Sequence, residues 1–289
     1  MDNTLKIAIP NKGRLSTKIY ELLNNAGLSF GVKDERCLKI ATRDGKYSLI
    51  FVRTQDIPRF LDAKVADVGF TGWDVVVEED VELDKVKDFD FGGCEMVVAV
   101  KDEDPYKTPA DLPDEINVAT SFPNIAKRYF EKLGKKARVI EVSGAVEITP
   151  SLGLSDVVID ITSTGSTLKS NRLRIIDKIL KSSAVIVARK NLEEDKQKKL
   201  NSLVRALDSV IDAQEKKYLM VHVPKDKIEE VKSFMPGLSS PTVTQLWGDN
   251  ENVVIHVVVD KDMVYDSIDH LKSIGGKGIL ILTVDQMVK

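Results

Sequence analysis

Histidine is scarce in this chain: among 289 residues there are three, His222, His256 and His270. All follow Tyr218, so chemistry before that point has neither a histidine base nor an imidazole metal ligand. Cysteine is scarcer still, with only Cys37 and Cys94. Neither belongs to a Cys-x-x-Cys pair, which argues against a zinc site and a disulfide framework. Two isolated thiols fit a reducing cytosol. There is no basic excess either. A formal net charge of -3 offers little to displace counterions from nucleic acid, although a local basic pocket for phosphates stays compatible with it. No apolar run approaches the roughly 20 residues that span a bilayer. The opening Met1-Asp2-Asn3-Thr4-Leu5-Lys6 has no basic segment leading into an apolar one, so no export signal is expected and a cytoplasmic location is.

What is present points to a large, water-exposed α/β protein. Hydrophobic residues make up 43% and charged residues 30%, enough for a sizeable core and a solvated surface. The length suits two or three domains. Leu5 to Ile9 reads as a strand. Pro10-Asn11-Lys12-Gly13 is a loop, and Leu15, Ile19, Leu22, Leu23 and Ala26 recur at helical spacing before a stop at Gly27. Cys37 to Thr42 and Tyr47 to Val52 flank Asp44-Gly45 as a hairpin. Pro58 opens a short helix through Lys64. Asp67 to Phe70 is a strand ending in Thr71-Gly72. Strands at Met96 to Val100, Ile116 to Thr120, Arg138 to Val142 and Val157 to Ile161 surround a helix from Ile125 to Leu133 and a short helical piece reaching Leu154. This alternation predicts an α/β fold with mostly parallel sheets.

Glu193 to Lys217 reads as one long helix with an apolar stripe through Leu200, Leu203, Val204, Leu207, Val210 and Ile211. After it come a strand at Tyr218 to Val223, a helix ending at Pro236-Gly237, strands at Thr242 to Leu246 and Val253 to Val259, a helix ending at Gly275-Gly276, and a strand at Ile279 to Val284. The order βαββαβ is ferredoxin-like.

The strongest site signal is the strand Val157-Val158-Ile159-Asp160-Ile161 running into Thr162-Ser163-Thr164-Gly165-Ser166-Thr167-Leu168. Backbone N–H groups of such a turn can form a concave anion site, and the hydroxyls add donors without charge. Asp160, at the carboxyl end of the strand, is placed to accept hydrogen bonds from sugar hydroxyls. That is where open α/β sheets bind ligands. No GxxxxGK[ST] run is present, so this is not a Walker loop. By itself the segment fits an ordinary capped β-to-α loop equally well. Asn11-Lys12-Gly13-Arg14 is the second signal. Two cations at a helix start oppose the helix dipole and favour an anionic ligand, although a solvated turn also accounts for them. Arg53-Thr54-Gln55-Asp56 and Thr71-Gly72 hold the same post-strand position. Glu141 and Glu147 flank Ser143-Gly144 and could hold Mg²⁺ through water, or be solvated carboxylates. Gly237-Leu238-Ser239-Ser240-Pro241-Thr242 is a polar bend that could line a small-molecule pocket between subunits.

Taken together and in order, several of these segments resemble one family. Pro10-Asn11-Lys12-Gly13-Arg14-Leu15, Asp67-Val68-Gly69-Phe70-Thr71-Gly72, Phe91-Gly92-Gly93-Cys94, Ser143-Gly144-Ala145-Val146-Glu147, Asp160 to Leu168 and Asn171-Arg172-Leu173 look like ATP phosphoribosyltransferase. Pro236-Gly237-Leu238-Ser239-Ser240-Pro241-Thr242-Val243 and Gly278-Ile279-Leu280-Ile281-Leu282 resemble the regulatory domain of its long, histidine-regulated form. The resemblance runs along essentially the whole chain.

It implies a two-lobed catalytic part built like a type II periplasmic binding protein, with lobe I from 1–94 and 182–214 and lobe II from 95–181, and an ACT-like regulatory domain over 215–289. It implies transfer of the phosphoribosyl group from phosphoribosyl pyrophosphate to N1 of ATP, with pyrophosphate released and Mg²⁺ required. This is the first step of histidine biosynthesis, under allosteric feedback inhibition by histidine, in a homo-oligomer (dimer or hexamer). By position, Arg14, Asp160 and Thr167 carry the catalytic expectation. Asp160 and Thr162, Ser163, Thr164, Gly165, Ser166, Thr167 and Leu168 should hold the ribose 5-phosphate. Lys12, Gly13, Arg14, Arg53, Thr71 and Gly72 should face ATP or pyrophosphate. His222, Leu238, Ser240 and Thr242 match the histidine pocket. One departure from other phosphoribosyltransferases is visible: their paired-acid motif is reduced to the single Asp160.

The chemistry suits a histidine-free catalytic half. Adenine N1 carries a free lone pair at neutral pH and needs no base. Pyrophosphate leaves best beside cations, so positioning and electrostatics can supply most of the rate. Two rival readings are a two-lobed solute-binding protein and an amino-acid sensor with an inactive catalytic half. The absent export signal, the Lys12–Arg14 loop and the appended βαββαβ unit count against the first.

Overall fold

The structure is a computed structural model that describes residues 3–28, 38–238 and 240–288. Cys37, at the start of the expected first hairpin strand, and Ser239 lie outside the described residues. In chain order the elements begin with β1 (Leu5–Pro10), α1 (Arg14–Asn25), β2 (Lys39–Ala41), β3 (Tyr47–Val52), α2 (Ile57–Asp62), β4 (Val68–Gly72), α3 (Trp73–Glu79) and β5 (Leu83–Asp88). Next come β6 (Cys94–Lys101), β7 (Glu115–Thr120), α4 (Pro123–Lys132), β8 (Lys136–Glu141), β9 (Val157–Thr162), α5 (Ser166–Ser170) and β10 (Leu173–Ser182). The chain continues through β11 (Ala184–Arg189) and α6 (Glu194–Gln214) to β12 (Lys216–Pro224), α7 (Ile228–Phe234), β13 (Thr242–Leu246), β14 (Asp249–Asp260), α8 (Val264–Ser273) and β15 (Lys277–Thr283).

Two sheets build two lobes. The first has the order β2-β3-β1-β4-β11-β5 and the second β10-β6-β9-β7-β8. In the first, β1 pairs parallel with β3 and β4, and β11 runs antiparallel between β4 and β5. In the second, β7 pairs parallel with β8 and β9, and β6 runs antiparallel between β9 and β10. The expectation of mostly parallel pairing therefore needs correcting: both sheets are mixed. The cause is the chain path. Apart from β2, which runs antiparallel to β3 as the first arm of the hairpin, each lobe's own strands point their carboxyl ends toward the cleft, whereas β6 and β11 enter from the opposite lobe, start at the cleft, and run the other way. This is the two-lobed, periplasmic-binding-protein-like arrangement.

Central strands in both lobes are covered on both faces, which is why they read as apolar runs rather than alternating ones. Leu5, Ile7, Ala8 and Ile9 are fully buried, as are Val97, Val98, Ala99 and Val100. Such rigid strands fix where their carboxyl-end loops stand.

The C-terminal sheet has the order β13-β14-β12-β15, all antiparallel. Two helices pack on one face, where Leu219, Val221, Val223, Ile255 and Leu271 form its core. That is the ferredoxin-like topology. The chain divides into two compact units, Met1–Tyr20 with Ser29–Leu200 and Glu21–Leu28 with Asn201–Lys289. The division falls inside α6 rather than at 214/215. Part of the reason is local: in the second unit, Met287 N–H donates to Ser209 O (2.8 Å) and Gln286 Nε2 donates to Asn25 O (2.6 Å). Among the described residues no helix is long and apolar enough to cross a membrane.

Candidate active site

The loops after β1, β3 and β4 and those after β7, β8 and β9 all emerge at carboxyl ends of strands, which is where open α/β sheets collect ligands. After β1 the backbone must turn sharply. Gly13 adopts φ +99°, a left-handed conformation that glycine takes at no steric cost. Its carbonyl accepts from Ser16 Oγ at 2.7 Å. This launches α1 with Arg14 in its first turn and no acidic residue there. Lys12, Gly13 and Arg14 are exposed.

After β9 the chain makes a second tight turn. Thr162 Oγ1 accepts from Gly165 N–H at 2.9 Å, and Gly165 itself sits at φ +74° as the N-cap of α5. Thr164 Oγ1 lies 2.9 Å from Ser166 Oγ. Ser163, Thr164, Ser166 and Thr167 are exposed, so their hydroxyls line an open cradle. Leu168 is different. It is 4% exposed and packs with Val97, Ala99, Val158 and Leu173, so only its backbone can serve a ligand.

The lobes meet at this point. Arg14 Nη1 donates to Ser163 Oγ at 3.0 Å, and Ser163 Oγ donates to the Gly93 carbonyl at 3.3 Å. Cys94 is a buried thiol held above its usual pKa by burial and by Asp74, with the Arg14 charge pulling the other way. Asp74 is buried; its Oδ1 accepts from Ser182 Oγ at 2.5 Å, and its N–H donates to that hydroxyl at 2.9 Å. Gly72 is needed here, because a Cβ would stand 2.4 Å from Asp74 Oδ1.

Asp160 is partly buried and accepts from Ile161 N–H at 2.8 Å. Its pKa is pushed up to about 6, mainly by burial, with the Ile161 N–H opposing and the Glu147 charge adding. Glu141 lines a separate inter-lobe cavity of about 420 Å³ with Gln55, Arg59, Glu78, Asn124 and Lys127. Glu147 is not among that cavity's lining residues. No group of three or more His, Cys, Asp or Glu side chains is arranged for a metal among the described residues.

The remaining expected residues divide in two. Arg53 is exposed beside the turn after β3. Thr71 and Gly72 are fully covered, and Thr71 Oγ1 donates to Thr54 O at 3.1 Å. Thr71 therefore ties the β3 and β4 loops together and does not present its hydroxyl to the cleft. Sequence reading assigned no role to Gly93, Cys94, Asp74 or Ser182. The first three lie in or beside segments with a family signal, but their partners are distant in sequence.

In the C-terminal unit, Leu238, Ser240 and Thr242 line one cavity of about 420 Å³ together with Tyr218, Thr244 and His256. Tyr218 Oη and His256 Nδ1 are 2.9 Å apart. His222 is not among the lining residues. It sits on β12 beside Gly278, where a Cβ would lie 3.8 Å from its ring.

A family model described as HisG, ATP phosphoribosyltransferase, matches residues 53–209, and one described as HisG, C-terminal domain, matches residues 213–286. The ATP phosphoribosyltransferase of Methanocaldococcus jannaschii is 41% identical over 288 residues, covering 98% of this chain and 100% of that protein. The chain belongs to the ATP phosphoribosyltransferase family. It is thereby an enzyme of histidine biosynthesis. The relative from Gemmatimonas aurantiaca is 42% identical over 291 residues, covering 98% of this chain and 99% of that one. Among solved structures, the ATP phosphoribosyl transferase (HisG:HisZ) complex from Thermotoga maritima is 35% identical with a TM-score of 0.65. That match spans 99% of the solved chain but 72% of this one, and the HisG C-terminal domain over 213–286 marks this family member as the long form.

Proposed function

We propose that this enzyme joins ATP to phosphoribosyl pyrophosphate through adenine N1, releases pyrophosphate, requires Mg²⁺, and is inhibited by histidine. The observation that carries the reading is the Arg14–Ser163 contact, which brings the cationic loop of one lobe onto the hydroxyl loop of the other.

The ribose 5-phosphate belongs on the backbone and hydroxyls of Thr162 to Thr167, and Asp160 takes the ribose hydroxyls. Lys12, Arg14 and Arg53 supply positive charge for the triphosphate and the leaving pyrophosphate. As the N1 lone pair forms its bond to the ribosyl carbon, the carbon–oxygen bond to pyrophosphate breaks and the leaving group takes the electron pair. The carbon is positively charged in between, and the ionised Asp160 stabilises it. No protein base is required. Mg²⁺ would be held mainly by pyrophosphate and water. The metal would neutralise charge on the leaving group.

For inhibition, the cavity of Leu238, Ser240 and Thr242 offers hydroxyls and an apolar wall to an amino acid, with Tyr218 and His256 at its side. It opens on the sheet face away from the helices. That face also presents Leu280 (50% exposed) and Leu282 (53%), an apolar surface suited to a second copy of the chain in a dimer or hexamer. The matched family's chemistry and the composition fit a cytoplasmic location.

An initial-rate assay tests the whole reading. Pyrophosphate should appear only with ATP, phosphoribosyl pyrophosphate and Mg²⁺ all present, stop on chelation, and slow with added histidine. Folded protein that makes none under these conditions would refute the catalytic reading.

A further inference from the structure

Arg14 is not the only bridge between the lobes. Helix α3 follows β4 of the first lobe, and α4 follows β7 of the second. At its amino end α4 lacks a cap of its own: Phe122 in the N-cap position makes no side-chain bond, and Pro123 has no N–H to offer. The next two amides are taken by a carboxylate from the other lobe. Asn124 N–H donates to Glu78 Oε1 at 2.8 Å and Ile125 N–H to Glu78 Oε2 at 2.9 Å. The exchange is mutual. Asn124 Nδ2 donates to the Glu78 carbonyl at 3.0 Å, and Arg128 Nη2 to the Val77 carbonyl at 2.5 Å. These two carbonyls belong to the last turn of α3, where such groups have no partner within the helix.

Packing follows the same division. Val76 belongs to a core cluster of the first lobe, whereas its neighbour Val77 packs against the core of the second. Opening the cleft here would break four hydrogen bonds, bare Val77 to water, and leave the first free amides of α4 without their acceptor. The connections to the reacting groups are short. On one side, α3 continues from β4, which pairs with β1 ahead of Lys12 and Arg14. On the other, β7 leads into α4 and pairs with β9 ahead of Asp160 and the hydroxyl loop.

We propose that α3 is a fixed strut between the lobes, and that Glu78 is a positioning residue that sets the spacing between the Lys12–Arg14 loop and the Thr162–Thr167 cradle. This rests on the transfer reaction proposed above, since it is the two substrates that report the spacing.

The test uses the full chain with ATP, phosphoribosyl pyrophosphate and Mg²⁺. Glu78→Ala removes both acceptors. Glu78→Gln keeps the shape and one oxygen, and carries the test if the alanine variant does not fold; Asn124→Ala removes the reciprocal bond. If Glu78 positions the loops, the KM values for both substrates rise together, by about fivefold or more in the alanine variant and less in the glutamine variant, with kcat lowered as well. A role in folding alone would lower the active fraction and hence kcat, leaving both KM values intact. Hydrogen exchange at the Asn124 and Ile125 amides reports the clasp itself. Accelerated exchange with unchanged KM values overturns the proposal. A folded wild-type protein that makes no pyrophosphate removes the reaction and Glu78's role with it, whereas an active wild type with a kinetically silent Glu78→Ala removes only the strut.

Discussion

Arg14 Nη1 and Ser163 Oγ, 149 positions apart in sequence, stand 3.0 Å from each other across the two lobes. Arg14 thus joins the first helix to the hydroxyl loop after β9, and in the proposed reaction its charge faces the departing pyrophosphate. Arg14→Ala is expected to lower kcat/KM for phosphoribosyl pyrophosphate by about 100-fold, the usual scale for losing one preorganised electrostatic contact. Arg14→Lys should recover part of this, because a point charge does not reproduce the planar guanidinium that reaches Ser163. Steady-state kinetics of the two variants check this, and equal loss in both would show that geometry rather than charge is decisive.

Asp160 gives a pH dependence with a definite sign. Burial, with help from Glu147, pushes its pKa up to about 6. In the proposed reaction the ionised form accepts the ribose hydroxyls and steadies the positive carbon. The kcat/KM for phosphoribosyl pyrophosphate should therefore fall as pH drops through about 6. Asp160→Asn should abolish that acid limb along with most activity, and Glu147→Gln should shift the limb to lower pH. Stability moves the other way. The folded pKa lies above the usual carboxylate value, so this group favours folding only at low pH, and that contribution is lost as pH rises toward 6. Above that range ionised Asp160 costs the unliganded protein of order 2 kcal/mol. Asp160→Asn should thus raise the melting temperature at pH 8 and leave it nearly unchanged at pH 4. A stabilisation equal at both pH values would count against a buried, ionised Asp160.

What could be read from the sequence depended on whether one period and one neighbourhood decided an element. β1, β9 and the βαββαβ tail were legible because burial on both faces, or strict order of strand and helix, leaves a local mark. The elements that escaped have patterns belonging to more than one partner. Trp73–Glu79 contains Val75-Val76-Val77, a β-branched run that suits a strand, yet it is a helix because it serves a core in each lobe. Leu173–Ser182 spaces its apolar residues irregularly because the strand is bulged between Ile175 and Asp177 and again between Lys178 and Leu180. The site shows the same limit. Loops at strand ends could be named, but the burial of Thr71 and Leu168 and the Glu78 clasp arise from contacts far apart in sequence.

Gly165 separates backbone conformation from space. A Cβ there would meet nothing within 4 Å, yet the residue sits at φ +74°. Gly165→Ala therefore carries strain without a clash, about 1 kcal/mol. Relaxing that strain would swing the Gly165 and Ser166 amides out of the cradle. The expected result is a small drop in melting temperature with a KM for phosphoribosyl pyrophosphate raised about tenfold, and a milder effect for Gly165→Asn, which tolerates the left-handed region. An unchanged KM would show that these amides do not hold the phosphate.

The C-terminal cavity allows regulation to be separated from turnover. Ser240 and Thr242 line it, and no catalytic group lies in the same compact unit. Ser240→Ala and Thr242→Ala should raise the histidine concentration needed for half-inhibition by roughly tenfold each, the scale of one lost hydrogen bond to a ligand that carries charge. Uninhibited kcat should stay within about twofold of wild type. His256→Ala, which removes the partner of Tyr218, should weaken inhibition as well. His222 discriminates between the sequence pattern and the cavity. Its position matches the family pocket, but it does not line this cavity. His222→Ala should accordingly have less effect than Thr242→Ala if histidine binds within one subunit's cavity. Should it have as large an effect, the bound histidine reaches the face around Gly278, and the pocket is completed by more of the sheet than one chain's cavity encloses. Dose–response curves for histidine on the four variants, read beside their uninhibited rates, decide between the two. Loss of turnover in step with loss of inhibition would refute the division between a catalytic unit and a regulatory one.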